Sequence, residues 1–217
     1  MTVLGTKKNS TKDDITKTQS CTKSTHRPFL LSVCSFLFLM YASTDIHWSH
    51  IKSIDENGNP EMTYFGIWKY CTVDLKTGEK KICGESMTYL NQLSDPAHLV
   101  KPECLQLCRV LLFAVTTMSF LAAVFSLAMS FKDTLDGLWV LLTQFLSATF
   151  TLVVLLLYTH GRWELRSGQH KETGVMDEDF GYGFYMVISA EVFCILSFLV
   201  TCMYTRLEKI ARIVCLA

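Results

Sequence analysis

Two cysteines, Cys71 and Cys83, lie close together in a polar part of the chain. Three others, Cys34, Cys194 and Cys202, fall within or at the ends of apolar blocks, where a thiol behaves as a small hydrophobic group. A pair of cysteines in one polar segment is typical of a disulfide in an oxidising compartment. The sequence therefore predicts a bond between Cys71 and Cys83.

Polar side chains also occur inside the apolar blocks, namely Arg109, Gln144 and Glu191. A charged group inside a membrane is costly unless it is paired or reaches the surface, so each is a candidate functional residue. Two arrangements stay open. Arg109 and Glu191 could pair, or Arg109 could extend outward to brace the first loop while Glu191 is neutral or bonds a neighbour such as Gln144.

Motifs for enzymatic chemistry are missing from the sequence. It has no GxSxG, HExxH or Walker pattern, so we expect no enzyme, no catalytic residue and no cofactor. His47 and His50 stand three residues apart and could hold a metal, but histidines beside a membrane are usually solvated, and no metal site is predicted. The formal net charge of zero argues against a nucleic-acid partner.

Four apolar blocks must position these residues, at about 28–46, 108–131, 137–159 and 184–204. A membrane-spanning helix needs about 20 mostly apolar residues, and the last three blocks reach that length. The first is shorter and could instead be a cleaved signal peptide, although its long polar lead favours a span. We predict an all-α membrane protein with four transmembrane helices in a bundle.

The segments between the blocks define the organisation. Residues 1–27 and 206–217 are predicted as cytoplasmic tails, the first disordered, around a four-span domain at 28–205. The loops 47–104 and 160–183 are predicted to be extracellular, because Lys and Arg are denser on the side of the termini and the cysteine pair needs an oxidising side. These features indicate a multi-pass protein of the plasma membrane.

The first loop has signals for a small antiparallel sheet. The stretch from Thr63 to Thr72 is rich in β-favouring residues, and Thr77-Gly78-Glu79 between the cysteines favours a turn. Trp48 follows the first span directly, where an amphipathic indole often anchors a helix at the membrane surface. That anchoring role and a role within the loop are both open for Trp48.

The first loop and its flanks resemble the W…GLW…C…C signature of the claudin superfamily, which includes epithelial membrane proteins, peripheral myelin proteins and calcium-channel gamma subunits. The residues that carry the resemblance lie after a first span and before three more: Trp48, Gly66-Ile67-Trp68, Cys71 and Cys83, with weaker matches at Leu105-Gln106-Leu107-Cys108-Arg109 and Phe180-Gly181-Tyr182-Gly183-Phe184-Tyr185. The resemblance covers about residues 28–205 and implies a claudin-like bundle with an extracellular sheet.

Departures from the signature shape the expected function. Ile67 replaces the usual Leu, the cysteines are further apart than is usual in claudins, and the last residues lack the Tyr-Val type ending of classical claudins. We therefore expect an accessory or organising protein whose partners are membrane lipid and other integral membrane proteins or itself. The alternative is a claudin-like component of cell adhesion or of a paracellular barrier.

Overall fold

The computed structural model describes residues 28–54, 58–88, 102–131, 137–168 and 177–216. The predicted tail at 1–27 and the tight turn at 132–136 lie outside these ranges. The described chain is mostly helical and carries one small antiparallel sheet.

The helices follow the predicted apolar blocks: the last three extend beyond them, whereas the first ends two residues before the predicted 46. Their bounds are α1 Pro28–Thr44, α2 Pro102–Phe131, α3 Gly137–Gly168 and α4 Tyr182–Leu216. Helices α2, α3 and α4 each contain a stretch long and apolar enough to cross a membrane, whereas α1 is a shorter apolar helix. Three of the four predicted spans are therefore supported by length and composition, and the four-helix membrane bundle stays a prediction.

Side chains join the helices along their length. Aromatic rings of α1 meet those of α2 and α4, the Cys108 thiol of α2 donates to the Val154 carbonyl of α3, and rings of α3 and α4 approach each other. The ring pairs are Phe36 with Phe120, Phe38 with Phe193, and Phe145 with Phe198. Small buried residues of α2, including Ala122 and Ser126, let neighbouring helices come close.

Five strands form the sheet, in the order β4-β3-β2-β1-β5, and every neighbouring pair is antiparallel. Their bounds are β1 Ser49–Ile54, β2 Pro60–Phe65, β3 Lys69–Asp74, β4 Lys80–Glu85 and β5 Asp177–Phe180. The first four strands come from the first loop, as the sequence predicts. The fifth comes from the second loop and pairs with β1, a strand that the sequence did not indicate.

The two faces of the sheet differ because side chains alternate along each strand. Ile51 and Phe65 are buried and join a hydrophobic core that includes Tyr158. Ser49 and Thr63 are buried on the same face, and the Tyr158 hydroxyl donates to Ser49 at 3.1 Å. The intervening side chains point to the opposite, outer face. The hydrophobic core thus runs from the ends of the helices nearest the sheet into the sheet.

Candidate functional site

The hairpin of β3 and β4 contains the predicted disulfide. Cys71 and Cys83 are directly opposite in the strand register and are bonded to each other. Five cysteines of the helices are free thiols, namely Cys34, Cys104, Cys108, Cys194 and Cys202. The predicted pairing is therefore confirmed, and it closes the hairpin on the outer face of the sheet.

The turn that joins β3 to β4 is organised by Asp74. The backbone N–H groups of Lys76 and Thr77 donate to its Oδ1 atom at 2.8 and 3.3 Å. Gly78 follows with φ of 72°, a left-handed conformation that glycine adopts at no steric cost. The hydrogen bond from the Lys76 N–H is the main reason that the pKa of Asp74 lies below its ordinary value of 3.8, with smaller help from Thr77 and Lys81 against partial desolvation.

Trp48 lies in the hydrophobic core. Its side chain is fully buried, the indole Nε1–H donates to the Ala42 carbonyl at 2.7 Å, and the Tyr158 ring meets it edge-on at 5.1 Å. Its backbone joins two strands, because its N–H donates to the Phe65 carbonyl and its carbonyl accepts from the Gly181 N–H. The interpretation of Trp48 as an interfacial anchor is wrong, since the indole packs between the sheet and the helices.

Two glycines make room around Trp48. A Cβ atom on Gly183 would lie 2.6 Å from Trp48 Cδ1, and one on Gly181 would collide with the backbone of His47. Glycine is needed at both positions because the start of α4 passes close to the segment that joins α1 to β1. The close packing explains why Gly181 and Gly183 alternate with aromatic residues where α4 begins.

The Gly66-Ile67-Trp68 triplet forms the bend between β2 and β3. A Cβ on Gly66 would lie 2.6 Å from the Asp45 carbonyl oxygen, so only glycine fits there. Ile67 is fully buried, while Trp68 is 41% exposed. The Ser86 hydroxyl donates to the Gly66 carbonyl at 2.8 Å and fixes the bend from the end of β4.

Arg109 braces this bend from α2. Its Nε–H donates to the Ile67 carbonyl at 2.9 Å, its Nη2 to the Trp68 carbonyl at 3.4 Å, and its Nη1 pairs with Glu85 at 3.1 Å. The guanidinium also lies 5.0 Å from the centre of the Trp68 ring, within the range of a cation–π contact. All its donors face the sheet.

The predicted alternative of an Arg109–Glu191 pair is wrong. Arg109 pairs with Glu85, and the Glu191 Oε2 atom is buried without a hydrogen-bond partner among the described residues. The reason is that Arg109 lies near the outer end of α2, within reach of the carbonyl groups at the bend. The structure has the other predicted arrangement, in which Arg109 braces the first loop.

Gln144 is the centre of a separate polar group between the helices. It is fully buried, and its Nε2 donates to the hydroxyls of Ser197 at 2.7 Å and Ser32 at 3.2 Å. The Ser197 hydroxyl in turn donates to the Pro28 carbonyl at the start of α1. Gln144 therefore ties α3 to α1 and α4, and no hydrogen bond joins it to Glu191 in the described part of the chain.

A second arginine brace was missed by sequence reasoning. Arg162 belongs to the outer extension of α3, where the sequence indicated a loop, and its guanidinium lies 4.1 Å from the centre of the Phe180 ring in β5. The Arg162 side chain is buried. The sheet is thus braced near both edges, by Arg109 at the β3–β4 side and by Arg162 at β5.

A groove of about 370 Å³ opens on the outer face, between the sheet and the start of α4. His47, His50, Tyr64 and Phe180 form its floor and one wall, and Tyr182 and Tyr185 of α4 form the other wall. The two histidines do not converge on a metal, because His47 Nδ1 lies 2.7 Å from an Asp45 carboxylate oxygen and His50 faces Asp179 of β5. No group of three metal-binding side chains occurs in the described ranges.

Neither the scan against protein-family models nor the search of curated proteins gives a match for this chain. The resemblance to the claudin superfamily therefore rests on the motif residues and stays a prediction.

Proposed function

We propose that the chain is a four-span membrane protein in which α1 is the fourth span of a claudin-like helical bundle. Support comes from the apolar side chains that the bundle leaves uncovered. On α1, Leu30, Leu37 and Tyr41 are each more than half exposed, and Phe113 of α2 and Leu138 of α3 are more than 70% exposed. Rows of large exposed apolar residues suit a lipid environment and are rare on soluble proteins.

The proposed orientation places the sheet outside the cell and both termini in the cytoplasm at the plasma membrane. The disulfide supports this, because such bonds persist on the oxidising side of a membrane. An epitope tag at either terminus should be reached by antibody only after permeabilisation. A tag detected at the amino terminus of intact cells would contradict the orientation.

Within this arrangement the chain acts as a non-enzymatic accessory or organising subunit of other integral membrane proteins. The observation that carries this proposal is the groove on the outer face. Two of its tyrosine side chains are largely exposed, with Tyr182 72% and Tyr185 55% exposed. Tyrosine is enriched among the residues that dominate binding energy at protein interfaces.

Rigidity adds to the case. The disulfide, Trp48 and the two arginine braces fix the sheet on the helices, so the groove needs little reordering when a partner binds. A preorganised surface avoids the entropy cost of ordering loops and side chains. The groove is thus suited to hold an outer segment of another membrane protein.

The test is purification in mild detergent with identification of the proteins that stay bound. We expect a channel, receptor or other integral membrane protein, whose recovery falls severalfold with Tyr185→Ala. The matched control is Leu75→Ala, since Leu75 is 44% exposed and lies on the β3–β4 turn, away from the groove. Equal recovery with both variants, or no membrane protein bound at all, would contradict the proposal.

Adhesion between cells is the second candidate, and the edge strand β4 favours it. Residues Lys80–Glu85 form one edge of the sheet and are mostly exposed, with Ile82 62% exposed. An open edge can pair with a strand of another chain. Two differently tagged copies expressed in separate, contacting cells would co-purify if this function is the correct one.

A further inference from the structure

We propose that a second groove, between α1 and α2 beneath the sheet, binds one phospholipid, with its phosphate on Lys69 and one acyl chain along the helices. This inference rests on the proposed membrane placement of the helices. It adds a specific lipid site, which the groove on the outer face neither requires nor contains.

The groove has a volume of about 400 Å³ and an apolar body. Met40 of α1 and Leu112 and Phe113 of α2 line it, and Trp68 and Lys69 of the sheet close its outer end. Met40 is 44% and Phe113 74% exposed, so the groove opens sideways onto the surface where lipid would lie. A hydrocarbon chain could therefore enter it from the bilayer.

The hydroxyl groups in the groove do not call for a polar ligand. Thr116 and Thr117 donate to the carbonyls four residues earlier in α2, at 2.8 and 2.9 Å. Ser43 and Thr44 donate to the carbonyls three residues earlier in α1. Because these hydroxyls are satisfied within their own helices, they add no demand for hydrogen bonds from a ligand.

Lys69 supplies the charge at the outer end. No hydrogen bond or ion pair engages its ammonium group among the described residues. Its cross-strand neighbour is Glu85, whose carboxylate is paired with Arg109. Together these three groups leave one positive charge, which is complementary to the phosphate of a phospholipid.

The dimensions fit a lipid chain that enters from the outer end. Along α2, Thr116 lies about two turns below Arg109, or roughly 10 Å at 1.5 Å per residue. One further turn down, the rings of Phe36 and Phe120 meet with their centres 5.5 Å apart and bring the two helices together. The groove therefore runs from the sheet to this ring pair and suits the upper part of an acyl chain.

The test uses the full chain in nanodiscs with two photoreactive probes that carry the same diazirine acyl chain. One probe is phosphatidylglycerol and the other is diacylglycerol, which lacks the phosphate. Labelled peptides are mapped, and labelling at residues 112–117 is compared with labelling at residues 145–152 of α3, which include the exposed Phe145 and Leu152 and line neither of the two grooves described above. The ratio corrects for ordinary contact with bulk lipid.

We expect the phosphatidylglycerol probe to label 112–117 several times more than 145–152, and the diacylglycerol probe to show much less preference. Lys69→Gln should remove the preference, whereas Lys80→Gln at the sheet edge should not. Thr117→Phe should fill the groove and reduce labelling with both probes. Thr149→Phe is its control, since Thr149 is also an exposed helix residue whose hydroxyl donates four residues back at 2.9 Å.

Two negative results have different meanings. Equal labelling of both regions by both probes, unchanged by Lys69→Gln, would overturn the lipid site and leave the membrane placement intact. If neither probe labelled a single helix, the membrane placement itself would be contradicted, and with it both proposals.

Discussion

The two faces of the sheet differ in how deeply their side chains are buried. On the inner face, Phe65 is fully buried and joins the helix core, as do Trp48 and Ile67 just beyond the strand ends. On the outer face, His50 and Tyr64 are only partly buried and border an open groove. The contrast indicates that the inner face holds the sheet in place, and we propose that the outer face is the recognition surface. Substitutions on the inner face should therefore change stability, and substitutions on the outer face should change binding.

The largest effect is expected for Trp48→Ala. It removes a fully buried indole together with its hydrogen bond to Ala42, and such truncations cost about 3–5 kcal/mol. We expect a large fall in surface expression and in the melting temperature of the detergent-purified protein. Trp139→Ala serves as the control, because Trp139 is 55% exposed on α3. Similar losses for the two variants would show that Trp48 is not a core residue.

An intermediate effect is expected for Arg109→Met. The variant keeps an unbranched apolar stem but leaves the Ile67 and Trp68 carbonyls without their donor, a loss of about 1.5–3 kcal/mol for hydrogen bonds to a charged group. Thermal unfolding in detergent would measure it.

Glu85→Gln removes the ion pair with Arg109 but keeps the hydrogen bonds from Arg109 to the Ile67 and Trp68 carbonyls. Glu85 is 60% exposed, so its removal should cost no more than about 1 kcal/mol. If the Glu85 variant were as unstable as the Arg109 variant, the ion pair and not the contacts with the bend would hold the sheet.

The smallest effect is a pH dependence at the β3–β4 turn. Because the folded-state pKa of Asp74 is below its ordinary value, its contribution to stability is present at neutral pH. That contribution is lost as the pH falls below 3.8, through the lowered folded-state pKa. The melting temperatures of the wild type and Asp74→Asn should therefore differ at neutral pH and converge in acid. A difference that stays constant down to the lowest pH would contradict this sign.

Local signals predicted the hairpin well. Cys71, Cys83 and Gly78 lie within a short segment, so their spacing alone indicates a turn and a bond across it. The three long apolar blocks were equally clear, since each carries its own length and composition. The sequence could predict these parts because each depends on neighbours in the chain.

Long-range contacts decided the rest. Trp48 is buried by Tyr158 and Phe184, which lie more than 100 residues away along the chain, so nothing near it indicated a core position. Arg109 could have paired in either of two ways, and the carbonyl groups at the Ile67 bend determined which. The strand β5 and Arg162 were missed because the acidic segment Asp177–Phe180 has little intrinsic β propensity and becomes a strand only beside β1.

The most direct test of the account is photo-crosslinking in intact membranes with a photoreactive amino acid at one of two positions. Position 182 lies in the groove wall, where Tyr182 is 72% exposed, and position 75 lies on the β3–β4 turn, where Leu75 is 44% exposed. We predict that position 182 forms an adduct with a second integral membrane protein and that position 75 does not. Adducts of equal yield at both positions, or none at position 182, would contradict the claim that the outer groove is the recognition surface.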